Sequence, residues 1–318
     1  MSTRRLALAE IQDLAFDALT AAGASEPQAR ALADATAETE ALGVASHGLA
    51  YIPIYCEHLR CGKVDGAAEP TVARPRPGVV RVNARNGFAH AAIDAGFAPL
   101  VSAARETGVA ALAIHESYNC GALRVHTARL AREGLLALGF TNAPASIAPT
   151  GGRAPVVGTN PFSVAAPDGE GDAAVLIDQS ASVIAKSEIM VRARAGEPIP
   201  EGWALDAEGA PTTDPEAALA GSMAPAGGYK GVGVALTTEL FAAAAAGALL
   251  GTEASPFSGT AGGPPRTGQF FLAVDAESTS GGAFADRLST LIAAIRASGE
   301  ARVPGDGARA ARARAEAE

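Results

Sequence analysis

At 318 residues the chain is longer than one hydrophobic core usually supports, so two lobes, or one body with an insertion, are expected. The formal net charge of -9 argues against the basic face of a nucleic-acid-binding protein, so an anionic substrate has to be met by local cations. Hydrophobic residues make up 48% but aromatics only 5%, and the alanine and glycine surplus predicts close backbone packing rather than large aromatic clusters.

The N-terminal stretch MSTRRLALAEIQDLAFDAL starts basic, but Glu10, Gln12, Asp13 and Asp17 interrupt its apolar positions, which makes it a helix rather than a signal peptide. Ile11, Leu14, Ala15, Ala18 and Leu19 recur at helical spacing as far as Gly23. Ser25 followed by Gln28 has the form of a capping box opening a second helix that ends near Gly43. A third helix is expected from just after Gly48 to about Cys61, with Gly62 as its stop. That places Ser46 and His47 at a helix entrance, where backbone N–H groups and the positive dipole end gather.

A proline-rich linker is expected at Ala73 to Gly78, after which apolar runs alternate with helical patterns. In order these are VVRVNA, a helix Ala89 to Thr107, VAALAIH, a helix Ala122 to Glu133, LLALGFTN, VGTNPFSVAA and AAVLID. A helix around Ser182 to Ala195, a turn-rich segment, an alanine-rich helix over Gly231 to Gly251 and the strand GQFFLAVD follow. The alanine-rich stretch is long enough to span a bilayer, but Glu239 at its middle makes it a buried helix. The closing ARAARARAEAE is a charged helix or a frayed tail. Cys56, Cys61 and Cys120 form no metal-ligand pattern and are odd in number, which fits a reducing cytoplasm and no metal.

The alternation invites a nucleotide-binding reading, yet no G-x-G-x-x-G follows an early strand, and GVGVAL after Lys230 lacks the third glycine. Phosphates would instead have to meet the glycine-bounded turns NCGAL (Asn119 to Leu123), GGYKG (Gly227 to Gly231) or RVPGDG (Arg302 to Gly307).

Taken together, SHGL at 46 to 49, PTGG at 149 to 152, GTNPF at 158 to 162, IDQSASVIAKSE at 177 to 188, IPEGWALDAEGAPTTDP at 199 to 215 and GGYKG carry a resemblance. In order and spacing they resemble the malate/L-lactate dehydrogenase family, which is unrelated to the Rossmann-type lactate dehydrogenases. Within it, SYNCGAL, LGFTNAPASIAP and GGPPRTGQFF are most similar to the branch that reduces Δ1-pyrroline-2-carboxylate and Δ1-piperideine-2-carboxylate. The resemblance implies an α/β fold with an atypical, non-Rossmann NAD(P)-binding domain on a largely antiparallel sheet, and a helical lobe formed from both chain ends. The expected divisions are 1-72 for the helical lobe with the Ser-His motif, 73-118 for a connecting part, 119-250 for NAD(P) binding and 251-318 for the return to the first lobe. A cytoplasmic homodimer acting on a small molecule, with no membrane or nucleic-acid partner, is implied as well.

Carried over residue by residue, the resemblance makes His47 the proton donor, with Ser46 and Glu188 orienting and tuning it. Reducing C=O or C=N takes a hydride and a proton at the heteroatom, and an imidazole can hold that proton near neutral pH. The cofactor, NADPH or NADH, is expected at Asn119, Cys120, Gly121, Ala122 and Leu123, at Asp178, Gln179 and Ser180, at Lys230, and at Arg302, Pro304 and Gly305. Lys230 and Arg302 supply cations there, whereas Asp178 fits a ribose or nicotinamide-side hydrogen bond. Thr159 and Tyr51 are expected to contact the substrate. His58, His90, His115 and His126 read as structural, and Cys120 as a packed thiol.

Two positions depart from the family's pattern: many members carry histidine at Asn119 and arginine at Tyr51. That arginine grips the substrate carboxylate, which a phenol cannot do, so either Arg60 or Arg153 takes over or the substrate differs. An imine reductase making proline or pipecolate is therefore weighed against a 2-hydroxy acid dehydrogenase of malate, lactate, ureidoglycolate or sulfolactate type. A non-catalytic small-molecule-binding paralogue and a Ser46-His47-Glu188 hydrolase are the readings from other classes. Against the hydrolase stand the missing G-x-S-x-G elbow and the expectation that adjacent Ser and His side chains point apart.

Overall fold

The computed structural model describes residues 5–317; the first four residues of the N-terminal stretch and Glu318 of the tail lie outside them. Helices α1 (Leu8–Ala21) and α2 (Glu26–Ala41) form a hairpin around Gly23, whose φ of +107° is one that a side chain would resist. Ile11, Ala15 and Leu19 line the buried face of α1, spaced one helical turn apart. Ser25 is the N-cap of α2, but the expected capping box does not form. Gln28 turns into the core instead, donating to the Ala68 carbonyl at 2.7 Å and accepting from the Phe88 N–H at 2.9 Å. A fully buried amide bonded at both ends outweighs a cap that water can replace. Helix α3 (Ile52–Arg60) completes this lobe, whose core holds Leu32, Tyr55, Phe88 and Tyr118.

The segment expected as a linker is strand β1 (Thr71–Arg76), exposed throughout and paired with β2 (Val79–Asn83). Pro75 is tolerated because β1 is the edge of the sheet, where a missing N–H faces no partner. The remaining strands are β3 (Val109–Ser117), β4 (Leu136–Thr141), β5 (Phe162–Pro167), β6 (Ala173–Gln179) and, near the C-terminus, β10 (Thr267–Val274). They form one seven-stranded sheet of order β1-β2-β3-β10-β4-β5-β6, in which only β2 and β3 run parallel. A fold built this way has no run of parallel βαβ crossovers, which explains why no Rossmann fingerprint is needed. Helices α4 (Ala89–Thr107) and α5 (Leu123–Arg132) cover the sheet, burying Ile93, Leu100, Leu123 and Leu130 against Val82, Leu112 and Phe271.

After β6 come α6 (Lys186–Ala195), strands β7 (Ala204–Leu205) and β8 (Pro211–Thr212), α7 (Pro215–Ala220) and β9 (Ser222–Met223), with a small sheet of order β8-β7-β9. The long alanine-rich helix is shorter than expected: α8 (Tyr229–Glu239) passes into a π-helical stretch over Leu240–Ala245. Among the described residues no helix is long and apolar enough to cross a membrane. Helices α9 (Ala276–Ser280), α10 (Phe284–Ala297) and α11 (Asp306–Ala317) close the chain. The charged C-terminal stretch is no frayed tail. Arg312 bonds Glu38 of α2 at 2.7 Å, and Arg309 bonds the carbonyls of Ala173 and Ala174, so α11 joins the N-terminal helices to β6.

Candidate active site

The Ser-His-Gly segment forms two tight 3-10 turns, Ala45–His47 and Leu49–Tyr51, between α2 and α3. Its glycine is dictated by α2: the Glu40 carboxylate accepts from the Leu49 N–H at 2.8 Å, and a Cβ on Gly48 would fall 2.0 Å from that same oxygen. In this geometry the Ser46 hydroxyl lies 3.0 Å from His47 Nδ1, contrary to the expectation that neighbouring side chains point apart. The short turn rotates successive residues differently from an α-helix, which brings the two together. With Nδ1 engaged by Ser46, Nε2 is the His47 nitrogen without a hydrogen-bond partner among the described residues.

Two charges converge on this imidazole. Asp178, near the end of β6, accepts from Arg124 Nε at 3.0 Å and from the Arg124 backbone N–H at 3.3 Å; its side chain is 14% exposed and that of Arg124 28%. Burial holds the His47 pKa below the usual histidine value, Asp178 pulls it back up and Arg124 pushes it down. Glu188, expected as the tuning carboxylate, is exposed in the first turn of α6 and is not among the charges acting on His47. Asp178 is thus a carboxylate whose charge acts on the imidazole.

The Tyr51 ring lies parallel to His47, with centroids 6.0 Å apart, and packs on Tyr55 at 4.8 Å. Burial raises the Tyr51 pKa and keeps it a neutral phenol, an effect that the Asn119 side chain opposes. The Asn119 oxygen is taken by the Gly121 N–H at 2.6 Å. Gly121 has φ +67°, and a Cβ there would press on His90 Nε2 at 3.3 Å. Next to it the Cys120 thiol is buried and pushed up to about 12, so it cannot serve as a nucleophile near neutral pH.

The other histidines take structural places. His58 donates from Nε2 to the Gly259 carbonyl and accepts at Nδ1 from the Tyr118 hydroxyl. His126 Nε2 donates to the Cys120 carbonyl at 2.9 Å, and His90 packs beside it. His115 is half-buried in β3. Of the two cations expected to replace an arginine at 51, Arg60 is exposed at the end of α3, and Arg153 is exposed and lies against Gly209.

The remaining expected residues lie on loops at strand and helix ends. Ala122 is the N-cap of α5 and Leu123 its first residue. Thr159 is half-buried, and its carbonyl accepts from the Ala181 N–H at 2.8 Å, tying GTNP to the segment after Asp178. Gln179 is exposed, and the Ser180 hydroxyl contacts that of Ser182 at 3.0 Å. Lys230 is exposed in the first turn of α8, behind Gly227 and Gly228 with φ of +70° and +66°. Arg302 is exposed, while the Pro304 carbonyl accepts from the Leu176 N–H at 2.9 Å, and a Cβ on Gly305 would meet Leu176 at 3.0 Å. A dinucleotide fits this set. Gly121, Gly227, Gly228 and Gly305 give three turns of positive φ that bear no side chain, and Lys230 and Arg302 supply exposed cations. Arg124 and Glu40 are the site residues that sequence reasoning missed; neither has a local signal, since each acts through a partner distant in sequence or a turn not foreseen.

The family model described as malate/L-lactate dehydrogenase matches residues 6–318. A protein of Chromohalobacter salexigens named (2R)-3-sulfolactate dehydrogenase (NADP(+)) is 43% identical, covering 95% of this chain and 90% of that protein. A Δ1-pyrroline-2-carboxylate reductase of Ancylobacter novellus is 40% identical over 95% of this chain and 89% of its own length. Among solved structures, the Δ1-piperideine-2-carboxylate reductase of Pseudomonas syringae pathovar tomato superposes with a TM-score of 0.93 at 35% identity, covering 99% of this chain and 95% of the other.

Proposed function

Because the chain belongs to the malate/L-lactate dehydrogenase family and is an NAD(P)-dependent oxidoreductase, we propose that it reduces a cyclic imino acid, with His47 as proton donor. The reactions are Δ1-pyrroline-2-carboxylate to proline and its six-membered homologue to pipecolate. The observation that carries this reading is the convergence of Ser46, Asp178 and Arg124 on one imidazole, in a chain similar to proteins named for these reactions. NADPH is the preferred reductant on this reading, supported by the NADP(+) in the name of the Chromohalobacter relative. The turn Asn119 to Leu123, Gln179, Ser180, Lys230 and the loop Arg302 to Gly305 would hold the dinucleotide. When bound, its nicotinamide supplies the hydride.

The chain's own residues manage the proton. Ser46 accepts from His47 Nδ1–H and fixes the ring, which leaves Nε2 to hold a proton against the imine nitrogen. Asp178 stabilises the imidazolium, the role first expected of Glu188. Thr159 donates to the substrate carboxylate, and Tyr51, as a neutral phenol, offers one further hydrogen bond. The same arrangement weakens the hydrolase reading, because Ser46 occupies Nδ1, the nitrogen that an orienting carboxylate holds in a Ser-His-Asp triad.

A 2-keto acid substrate is the second reading, favoured by the 43%-identical relative named for sulfolactate. Oxidation of NADPH with cyclic imino acids and with a panel of 2-keto acids separates the two; turnover of the keto acids alone would overturn the first. We also take the working form to be a cytoplasmic homodimer, and a monomeric mass by light scattering would overturn that part.

A further inference from the structure

We propose that Arg124 is the group that grips the substrate carboxylate, and that its withdrawal from Asp178 couples substrate arrival to protonation of His47. The inference rests on the oxidoreductase reading above, but not on which electrophile is reduced, since imino and 2-keto acids both present a carboxylate.

A carboxylate beside the reacting carbon needs a cation, and the position where many family members place one holds Tyr51. That phenol is neutral. Arg124 is the cation whose charge acts on His47. It projects from the first turn of α5, the side chain is 28% exposed, and its ion pair with Asp178 uses Nε alone at 3.0 Å. Both terminal nitrogens are left without a hydrogen-bond partner among the described residues, so the planar fork is open to a second carboxylate in the two-point geometry that guanidinium favours.

The titratable groups around His47 are Asp178 on β6, Arg124 on α5, Tyr51 on the following turn and Glu40 of α2. Glu40 is occupied with the Leu49 N–H, and Tyr51 carries no charge. The balance is therefore set by the ion pair, in which Arg124 offsets the Asp178 charge that would otherwise favour the imidazolium. A bound carboxylate adds a negative charge and draws the guanidinium toward itself, leaving Asp178 to act on His47. The imidazole then takes up a proton from solvent, and the acid is charged only when there is a substrate to receive its proton.

Pyrrole-2-carboxylate, a planar carboxylate that offers no reducible imine, is the probe, added to enzyme loaded with NADPH. Isotope-edited NMR of His47 in the wild type is expected to show its pKa rising by about one unit or more on saturation. Arg124→Gln should weaken probe binding at least tenfold, abolish that rise and leave NADPH affinity within threefold. Arg124→Lys should fall between, and it carries the test if Arg124→Gln does not fold. Adding Tyr51→Arg to Arg124→Gln should restore probe binding by returning a guanidinium to the pocket. If only 2-keto acids are turned over, oxalate replaces the probe and the same comparison holds, so failure of the imine assignment is distinguishable from failure of the Arg124 assignment. Unchanged probe binding in Arg124→Gln would overturn the proposal. So would a tenfold loss of NADPH affinity with probe binding intact, which would place the guanidinium on a cofactor phosphate.

Discussion

Acid should destabilise this protein through the imidazole of His126, which is 2% exposed on the buried face of α5. Its Nε2 donates to the Cys120 carbonyl, and its Nδ1 has no hydrogen-bond partner, so the neutral ring fits the cavity and the charged ring does not. Burial is the largest cause of a pKa lowered from 6.5 to about 4; the Cys120 bond opposes the shift and Arg129 adds to it. A depressed imidazole pKa means that the unfolded chain takes up the proton first. The stability contributed by the neutral ring is full above 6.5 and is lost progressively as pH falls toward 4. At about 1.4 kcal/mol per pH unit, the loss between pH 6.5 and 5 comes to about 2 kcal/mol from this residue alone. His90, packed against it with burial as the main cause of its own lowered pKa, acts in the same direction. Urea unfolding of the wild type and of His126→Gln, at pH 7.5 and at pH 5.0, isolates the effect. The variant is less stable at the higher pH, because it loses a fitted ring, but it should lose about 2 kcal/mol less on acidification. Parallel losses in the two proteins would refute the reasoning, since the proton uptake would then lie elsewhere.

Other outcomes follow from the site and its supports. Asp178→Asn removes the charge that raises the His47 pKa and leaves the one that lowers it, so the decline of reduction with rising pH should begin about one unit lower; Glu188→Gln should leave that profile unmoved. Gly48→Ala must displace the Glu40 carboxylate from the Leu49 N–H, and steady-state reduction should fall more than tenfold while the melting temperature shifts by only a few degrees. Glu38→Ala leaves Arg132 and Arg312 facing each other without their shared carboxylate, and limited proteolysis should then release the α11 segment faster than in the wild type.

Sequence periodicity located most strands and helices because burial on one face imposes it: α4 spans the expected residues, and β2, β3, β4, β6 and β10 fall within one or two residues of their apolar runs. What it could not show is what a strand's position in the sheet permits. The segment holding Pro75 reads as a linker, and that proline is harmless only because β1 lies at an edge. The expectation for Ser25 and Gln28 failed for a related reason: local pattern cannot reveal that a glutamine has two backbone partners waiting at Ala68 and Phe88. At the site, His47, Ser46 and the glycine turns were legible because motif spacing marks them. The charges were not. Asp178 and Arg124 are 54 residues apart, and an arginine early in an amphipathic helix has the same sequence signature as one on a solvated face. Nothing in the local pattern around Glu188 or Asp178 tells which of the two carboxylates has its charge acting on His47; the placement of β6 against α5 puts Asp178 among those charges.

The central claim is that His47 delivers the proton in NADPH-dependent reduction of a cyclic imino acid. It is tested most directly by following NADPH oxidation with Δ1-pyrroline-2-carboxylate in the wild type and in His47→Ala, alongside NADPH binding by fluorescence. The account predicts wild-type turnover, a loss of at least a hundredfold in the variant, and NADPH affinity within a few fold. Turnover of the imino acid by His47→Ala at the wild-type rate would contradict it.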